Sequence, residues 1–293
     1  MPINKVGIVG AGTIGHQIAY CVAKKGLEIM FVEKNAEKQL EATEAINILI
    51  ENDLEKYGLT NSEKKAITGK IAGTTYLDDL RSFKPELVIE STTEEIEKKQ
   101  NIIKEIDRTL PKEVIIASNT SSLRPTTISK NAEYKERIIG IHFIYPVMNT
   151  KVAEVSNAFH TDKTIMNRIG QFIAKLGKDT IVAPDYPGFI LTRALIPFLN
   201  EVFFLVMENQ ASRRTIDKCI KLGLNIPYGP LTYADYLGLD EILLWTENLF
   251  HKLCDTRFQP CPILRQLVHK GALGRKTRQG FFNYNEKGEQ VIG

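Results

Sequence analysis

The sequence predicts an α/β fold: a doubly wound parallel sheet followed by an all-helical C-terminal domain. Three observations carry this. Short apolar runs alternate with helix-compatible segments as far as Pro184, a glycine-rich turn joins the first run to the first helix, and only helical patterns follow Pro184.

The first run is Val6-Gly7-Ile8-Val9. Gly10-Ala11-Gly12-Thr13-Ile14-Gly15 continues it without a break, and Ile14 to Lys25 is compatible with a helix. Gly10 permits a tight turn, Gly12 lets the backbone approach a pyrophosphate, and Gly15 lets helix and strand pack closely, so the helix N-terminus faces the phosphates. Ile29-Met30-Phe31-Val32 is a second buried strand with Glu33 at its carboxyl end. A carboxylate there accepts hydrogen bonds from both ribose hydroxyls and repels a 2′-phosphate, which favours NAD over NADP. A glycine-rich turn alone would mean little. With strand, turn, helix, strand and acid in register, it marks a Rossmann-like dinucleotide site.

Long helical patterns follow at Ala36 to Tyr57 and Ser62 to Gly69, then strands at Ile71 to Thr75 and Leu87 to Glu90. Ile96, Ile103, Ile106 and Leu110 repeat at helical spacing from Glu94 onward, before strands at Val114 to Ser118 and Ile138 to Phe143. Val152 to Ser156 and Thr180 to Ala183 flank a helix at Lys163 to Leu176 and complete the sheet on its far side. Helical patterns then cover Gly188 to Asn209, Ser212 to Leu222, Tyr228 to Leu237, Asp240 to Cys254 and Pro262 to Lys270. Asp217 and Asp240 read as ordinary helix-start residues. The expected division is an NAD-binding domain over 1–184 and a helical substrate and dimerisation domain over 185–293. Phe189 to Met207 is apolar on nearly every face, and in a small domain such a helix calls for a partner, so a homodimer through this domain is expected.

The chain has 293 residues, 43% hydrophobic and 25% charged, which is ordinary for a globular protein. A net charge of +3 without blocks of like charge points to neither nucleic acid nor a membrane surface. No apolar run has the length of a membrane span. Strand-like sequence close to Met1 leaves no room for a signal or transit peptide. Cys21, Cys219, Cys254 and Cys261 lack paired or C-x-x-C spacing, which fits reduced thiols in a cytoplasm and no metal site.

Hydride transfer needs a proton donor or acceptor near the nicotinamide, and His is best poised for it at neutral pH. Of His16, His142, His160, His251 and His269, His142 ends the sixth strand, at the carboxyl edge where ligands bind in open parallel sheets. Glu154 lies on the following apolar strand, and a buried carboxylate requires a partner. From spacing alone, a catalytic His142–Glu154 pair and a structural His with an edge-exposed Glu stand level.

Taken together, these segments resemble the L-3-hydroxyacyl-CoA dehydrogenase family, in particular the short 3-hydroxybutyryl-CoA type. The likeness runs through the fingerprint with its acid, Leu87-Val88-Ile89-Glu90, Ala117-Ser118-Asn119-Thr120-Ser121-Ser122-Leu123, Gly140-Ile141-His142-Phe143 and Glu154-Val155. It continues through Asp185-Tyr186-Pro187-Gly188-Phe189, Pro227-Tyr228-Gly229-Pro230-Leu231, Gly238-Leu239-Asp240 and Gly274-Arg275-Lys276-Thr277. The resemblance implies oxidation of a 3-hydroxyacyl thioester with NAD. It makes His142 the general base, Glu154 its partner, and Ser121 the hydrogen-bond donor to the reacting oxygen. It places Glu94, Lys99, Tyr145 and Lys276 on the cofactor, and Lys56 and Thr192 with Ser121 on the substrate. By sequence alone, Lys99 and Lys276 would be solvated surface charges.

Three segments depart from the family pattern. His-Phe-Phe-Asn-Pro becomes His142-Phe143-Ile144-Tyr145-Pro146, the Asn of Gly-Phe-x-x-Asn-Arg becomes Thr192, and Glu51, Asp53 and Glu55 precede Lys56 where the family is rich in lysine. Acids there would repel the phosphates of CoA. The expectation is hydride chemistry on a CoA thioester, with an acyl-carrier-protein thioester as one alternative carrier and a non-catalytic NAD-binding protein as another reading.

Overall fold

A computed structural model of the chain describes residues 2–286 and 288–291. Two compact units divide it, Met1–Phe189 and Ile190–Gly293.

In the first unit the strands are β1 (Lys5–Val9), β2 (Glu28–Val32), β3 (Ile71–Thr74), β4 (Leu87–Glu90), β5 (Ile115–Asn119), β6 (Ile138–Phe143), β7 (Val152–Asn157) and β8 (Asp179–Val182). The helices are α1 (Gly15–Lys24), α2 (Ala36–Tyr57), α3 (Asn61–Thr68), α4 (Asp79–Phe83), α5 (Ile96–Thr109), α6 (Pro125–Ile128) and α7 (Lys163–Lys175). One sheet takes the order β3-β2-β1-β4-β5-β6-β7-β8. Six strands run parallel, but β7 pairs antiparallel to β6 and β8 runs parallel to β7. The sheet is mostly parallel, as expected, and the two runs expected to complete its far side do so in the reverse direction: residues 144–151 carry no helix to make a crossover, so the chain turns back on itself.

Alternation along the strands shows why both faces are covered. Leu87 and Ile89 of β4 join a core with Ile18, Val22 and Ile46 of α1 and α2, while Val88 joins a second core with Ile103 and Ile106 of α5. Because β2 and β4 leave β1 on opposite sides, the strand order reverses at β1, and a crevice forms at the carboxyl ends of β1 and β4. Local signals set the boundaries. Asn35 caps α2 by accepting from Lys38 N at 2.9 Å, and Thr60 with Glu63 forms a capping box on α3.

The second unit holds α8 (Leu191–Met207), α9 (Arg213–Gly223), α10 (Pro230–Leu237), α11 (Leu239–Leu253) and α12 (Pro262–His269). Within this chain α8 is not buried all round: Ile196, Leu199, Val202 and Phe203 are covered, Leu195, Phe198 and Leu205 are half-buried, and Met207 is exposed. Asp240 lies in the first turn of α11 as expected. Asp217 does not start a helix. It is buried in α9 and caps α10 instead, accepting from Leu231 N at 2.7 Å, Thr232 N at 3.1 Å and Thr232 Oγ1 at 2.6 Å. Among the described residues, no helix is long and apolar enough to cross a membrane.

Candidate active site

The crevice opens on the glycine turn. Gly10 has φ +89°, and a Cβ there would lie 2.7 Å from Ser91 O, so the turn tolerates no side chain. A Cβ on Gly15 would collide with Gly10 O, which is how α1 comes so close to β1. At Gly12 a Cβ would meet nothing within 4 Å, so the backbone here faces open space. Gly12 and Thr13 are exposed, Ala11 is buried and Ile14 half-buried. Glu33 follows β2 and turns back on the glycine turn, its Oε1 accepting from Ala11 N at 2.6 Å. These residues fit the turn of an NAD-binding domain.

His142 and Glu154 are directly opposed in the β6–β7 register, and His142 Nδ1 lies 2.7 Å from Glu154 Oε2. Both side chains are buried. An antiparallel pair brings facing side chains together, so the sheet itself builds this contact. Phe189, at φ +50°, sets its ring 5.5 Å from the imidazole and covers it.

Beside them runs the serine loop that leaves β5. Glu94 Oε1 gathers four donors from it: Thr120 Oγ1 at 2.6 Å, Ser121 N at 2.8 Å, Ser122 N at 2.6 Å and Ser122 Oγ at 3.0 Å. Asn119 stitches the strand ends together, its Oδ1 accepting from Phe143 N at 3.1 Å and its Nδ2 donating to Ser91 Oγ at 3.1 Å. Behind the loop, Lys99 is fully buried. Its ammonium donates to Glu90 Oε1 at 2.9 Å, Glu90 Oε2 at 2.8 Å and Asn119 O at 2.7 Å, with Glu94 Oε2 at 3.9 Å. Lys99 is therefore no solvated surface charge.

Known proteins resemble this chain over nearly its whole length. Residues 5–186 match the 3-hydroxyacyl-CoA dehydrogenase NAD-binding domain, and residues 188–284 match the C-terminal domain of the same enzymes. A 3-hydroxybutyryl-CoA dehydrogenase of Bradyrhizobium diazoefficiens is 36% identical over 96% of each chain. A probable 3-hydroxybutyryl-CoA dehydrogenase of Bacillus subtilis is 35% identical over 98% of this chain and 99% of its own. The crystal structure of (S)-3-hydroxybutyryl-CoA dehydrogenase from Ralstonia eutropha superposes with a TM-score of 0.86 at 36% identity, covering 97% of this chain and 100% of that one. The chain belongs to the 3-hydroxyacyl-CoA dehydrogenase family. It is an NAD-dependent oxidoreductase.

As a member of the 3-hydroxyacyl-CoA dehydrogenase family, it shows its departures in the structure too. Tyr145 sits in the return from β6 to β7, next to the imidazole-bearing strand. The acids of α2 do not form the free anionic face expected of them. Asp53 is buried against α1, where it accepts from Tyr20 Oη at 2.6 Å and pairs with Lys24, and Glu51 pairs with Lys64. Glu51 and Glu55 both stay exposed, as does Lys56. Thr192 and Lys276 belong to the second unit: Thr192 is buried in the first turn of α8, and Lys276 Nζ pairs with Asp240 at 2.5 Å. His16 Nδ1 donates to Gly12 O at 2.6 Å, and burial lowers its pKa.

Sequence reasoning missed Glu90 and Asn119. Glu90 carried a signal, as an acid closing the apolar run Leu87-Val88-Ile89, while Asn119 had none beyond its place at a strand end.

Proposed function

We propose that this protein interconverts a short-chain 3-hydroxyacyl-CoA and the 3-oxoacyl-CoA, with His142 as general base and acid. The observation that carries the reading is the buried His142–Glu154 pair at 2.7 Å on the carboxyl edge of the sheet. His142 Nε2 takes the proton of the 3-hydroxyl, and in the reverse direction returns it. Glu154 stabilises the imidazolium that forms and keeps the ring in one orientation. Ser121, on a loop pinned by Glu94, donates to the reacting oxygen. NAD supplies the hydride acceptor for carbon 3, held by the turn Gly10 to Gly15 and by Glu33. Lys99 acts from behind the serine loop by fixing Asn119.

The carrier proposed is CoA. Asp53 and Glu51 are already paired with lysines, so the charge that would have repelled its phosphates is largely neutralised. We also propose a homodimer through the second unit, supported by the exposed Met207, Leu222 and Leu224. Oxidation of NADH by acetoacetyl-CoA, followed at 340 nm in absorbance, tests the activity; no turnover with acetoacetyl-CoA or longer 3-oxoacyl-CoA esters overturns it.

A further inference from the structure

Between β6 and β7 the chain passes through Tyr145, Pro146, Val147 and Met148, and this return is fastened at three points by residues outside it. Gln17 Oε1 accepts from Val147 N at 2.8 Å. Cys21 Sγ donates to Met148 Sδ at 3.2 Å, as a thiol that burial pushes up to about 11. Lys178 Nζ donates to Val147 O at 2.5 Å and to Thr150 O. Gln17 and Cys21 are one turn apart on α1, so a single face of the helix that opens on the glycine turn also docks this return. Gln17 and Lys178 are both buried, and Val147 is covered completely enough that its amide has no solvent to turn to. Replacing either partner would leave buried groups unpaired.

We propose that Gln17 is a positioning residue that sets the place of Tyr145 in the active site through Val147. Tyr145 lies two residues from the fastened amide, with the rigid Pro146 between them, so a shift at Val147 is passed on with little slack. Gln17 makes no claim on the reacting atoms; it fixes the strand return whose phenol replaces the family amide. The inference rests on the dehydrogenase reading above for its kinetic readout, but not for its binding readout.

The test is a double-mutant cycle on Gln17→Leu and Tyr145→Ala. The kcat/KM for acetoacetyl-CoA is expected to fall roughly 5- to 30-fold in each single variant, the loss given by about 1–2 kcal/mol of misplaced contact. The double variant should be no more than about twofold worse than the weaker single one, because Gln17 acts through Tyr145. Gln17→Glu keeps an acceptor of the same length and should lie closer to the wild type than Gln17→Leu. Lys178→Met, which frees the same return from its other side, should repeat the non-additive pattern, so the outcome does not depend on one variant's folding. Losses that multiply in the double variants, or single variants with wild-type kinetics, overturn the proposal even if both melt at lower temperature. Should the wild type fail to turn over any 3-oxoacyl-CoA, the dehydrogenase reading falls, and the same cycle is read on the NADH dissociation constant by fluorescence titration. There, non-additive losses uphold the role of Gln17, and additive or absent losses remove it.

Discussion

Glu90 and Lys99 meet at 2.8 Å with neither side chain exposed to solvent at all. Taking two charges out of water costs several kcal/mol each, and the pair is tolerable only because every charged atom is used. Glu90 also accepts from Thr92 N at 2.8 Å, and from Thr92 Oγ1 and Ser118 Oγ at 2.5 Å each. Ser91 and Thr92 in turn abut Gly10, so this pair joins the glycine turn to the serine loop.

Removing one charge should therefore cost far more than removing both. Glu90→Gln is expected to lower the unfolding free energy by about 3 kcal/mol or more, because Lys99 stays buried with its main partner gone. The double variant Glu90→Gln/Lys99→Met should recover part of that loss. Denaturant unfolding followed by tryptophan-independent far-UV dichroism checks both. A double variant less stable than Glu90→Gln would show that the pair is not the source of the cost.

His142→Gln should leave NADH binding nearly intact and lower turnover roughly 10²- to 10⁴-fold, the usual worth of a general acid–base group. Glu154→Gln should reproduce much of that fall, since the amide cannot stabilise an imidazolium. Full rates in either variant on the true substrate would sink the assignment.

Glu33 stands at the end of β2 with its carboxylate on the amide of Ala11. NADH should consequently bind much more tightly than NADPH, and Glu33→Ala should narrow the gap by relieving repulsion of the 2′-phosphate. Parallel fluorescence titrations decide it. Equal affinity of the wild type for both nucleotides is the adverse result.

The sheet and its glycine turn were legible because each depends on local pattern, whereas spacing alone left the His142–Glu154 pair level with a structural reading and only the family resemblance favoured it. Apolar runs of four or five residues and glycines at fixed spacing survive without tertiary information. Two errors share one cause. Lys99 falls three residues after Ile96 and four before Ile103, on the apolar stripe of α5, and Asp53 falls three after Ile50 on that of α2. Reading charge before helical phase put both in solvent, whereas phase alone places them inside. The fastening of Val147 by Gln17 had no such signal, since it joins positions far apart in sequence that only the folded sheet brings together. Strand direction at β7 was hidden as well, because a run of apolar residues carries no polarity.

The last prediction concerns the second unit. Asp235 is buried in α10 and accepts from Phe281 N at 2.8 Å, Phe282 N at 2.9 Å and Tyr284 Oη at 3.0 Å, pinning the chain after Gly280. Burial raises its pKa to about 6 from an ordinary 3.8, and these hydrogen bonds only partly oppose that. Because the folded value is the higher one, the native state holds a proton that the unfolded chain has released between about pH 4 and pH 6. Asp235 thus contributes stability that is fully present below about pH 4 and is lost as pH rises through about 6, an effect of up to about 3 kcal/mol. Asp235→Asn cannot titrate. The advantage of the wild type over this variant should shrink by about 1–3 kcal/mol between pH 4 and pH 7, with other carboxylates cancelling in the comparison. Thermal melting of both proteins across that range, with hydrogen exchange of residues 280–284 as a local probe, measures it. A difference that stays flat or grows with pH would mean that Asp235 is ionised in the fold throughout, and that its three donors outweigh burial.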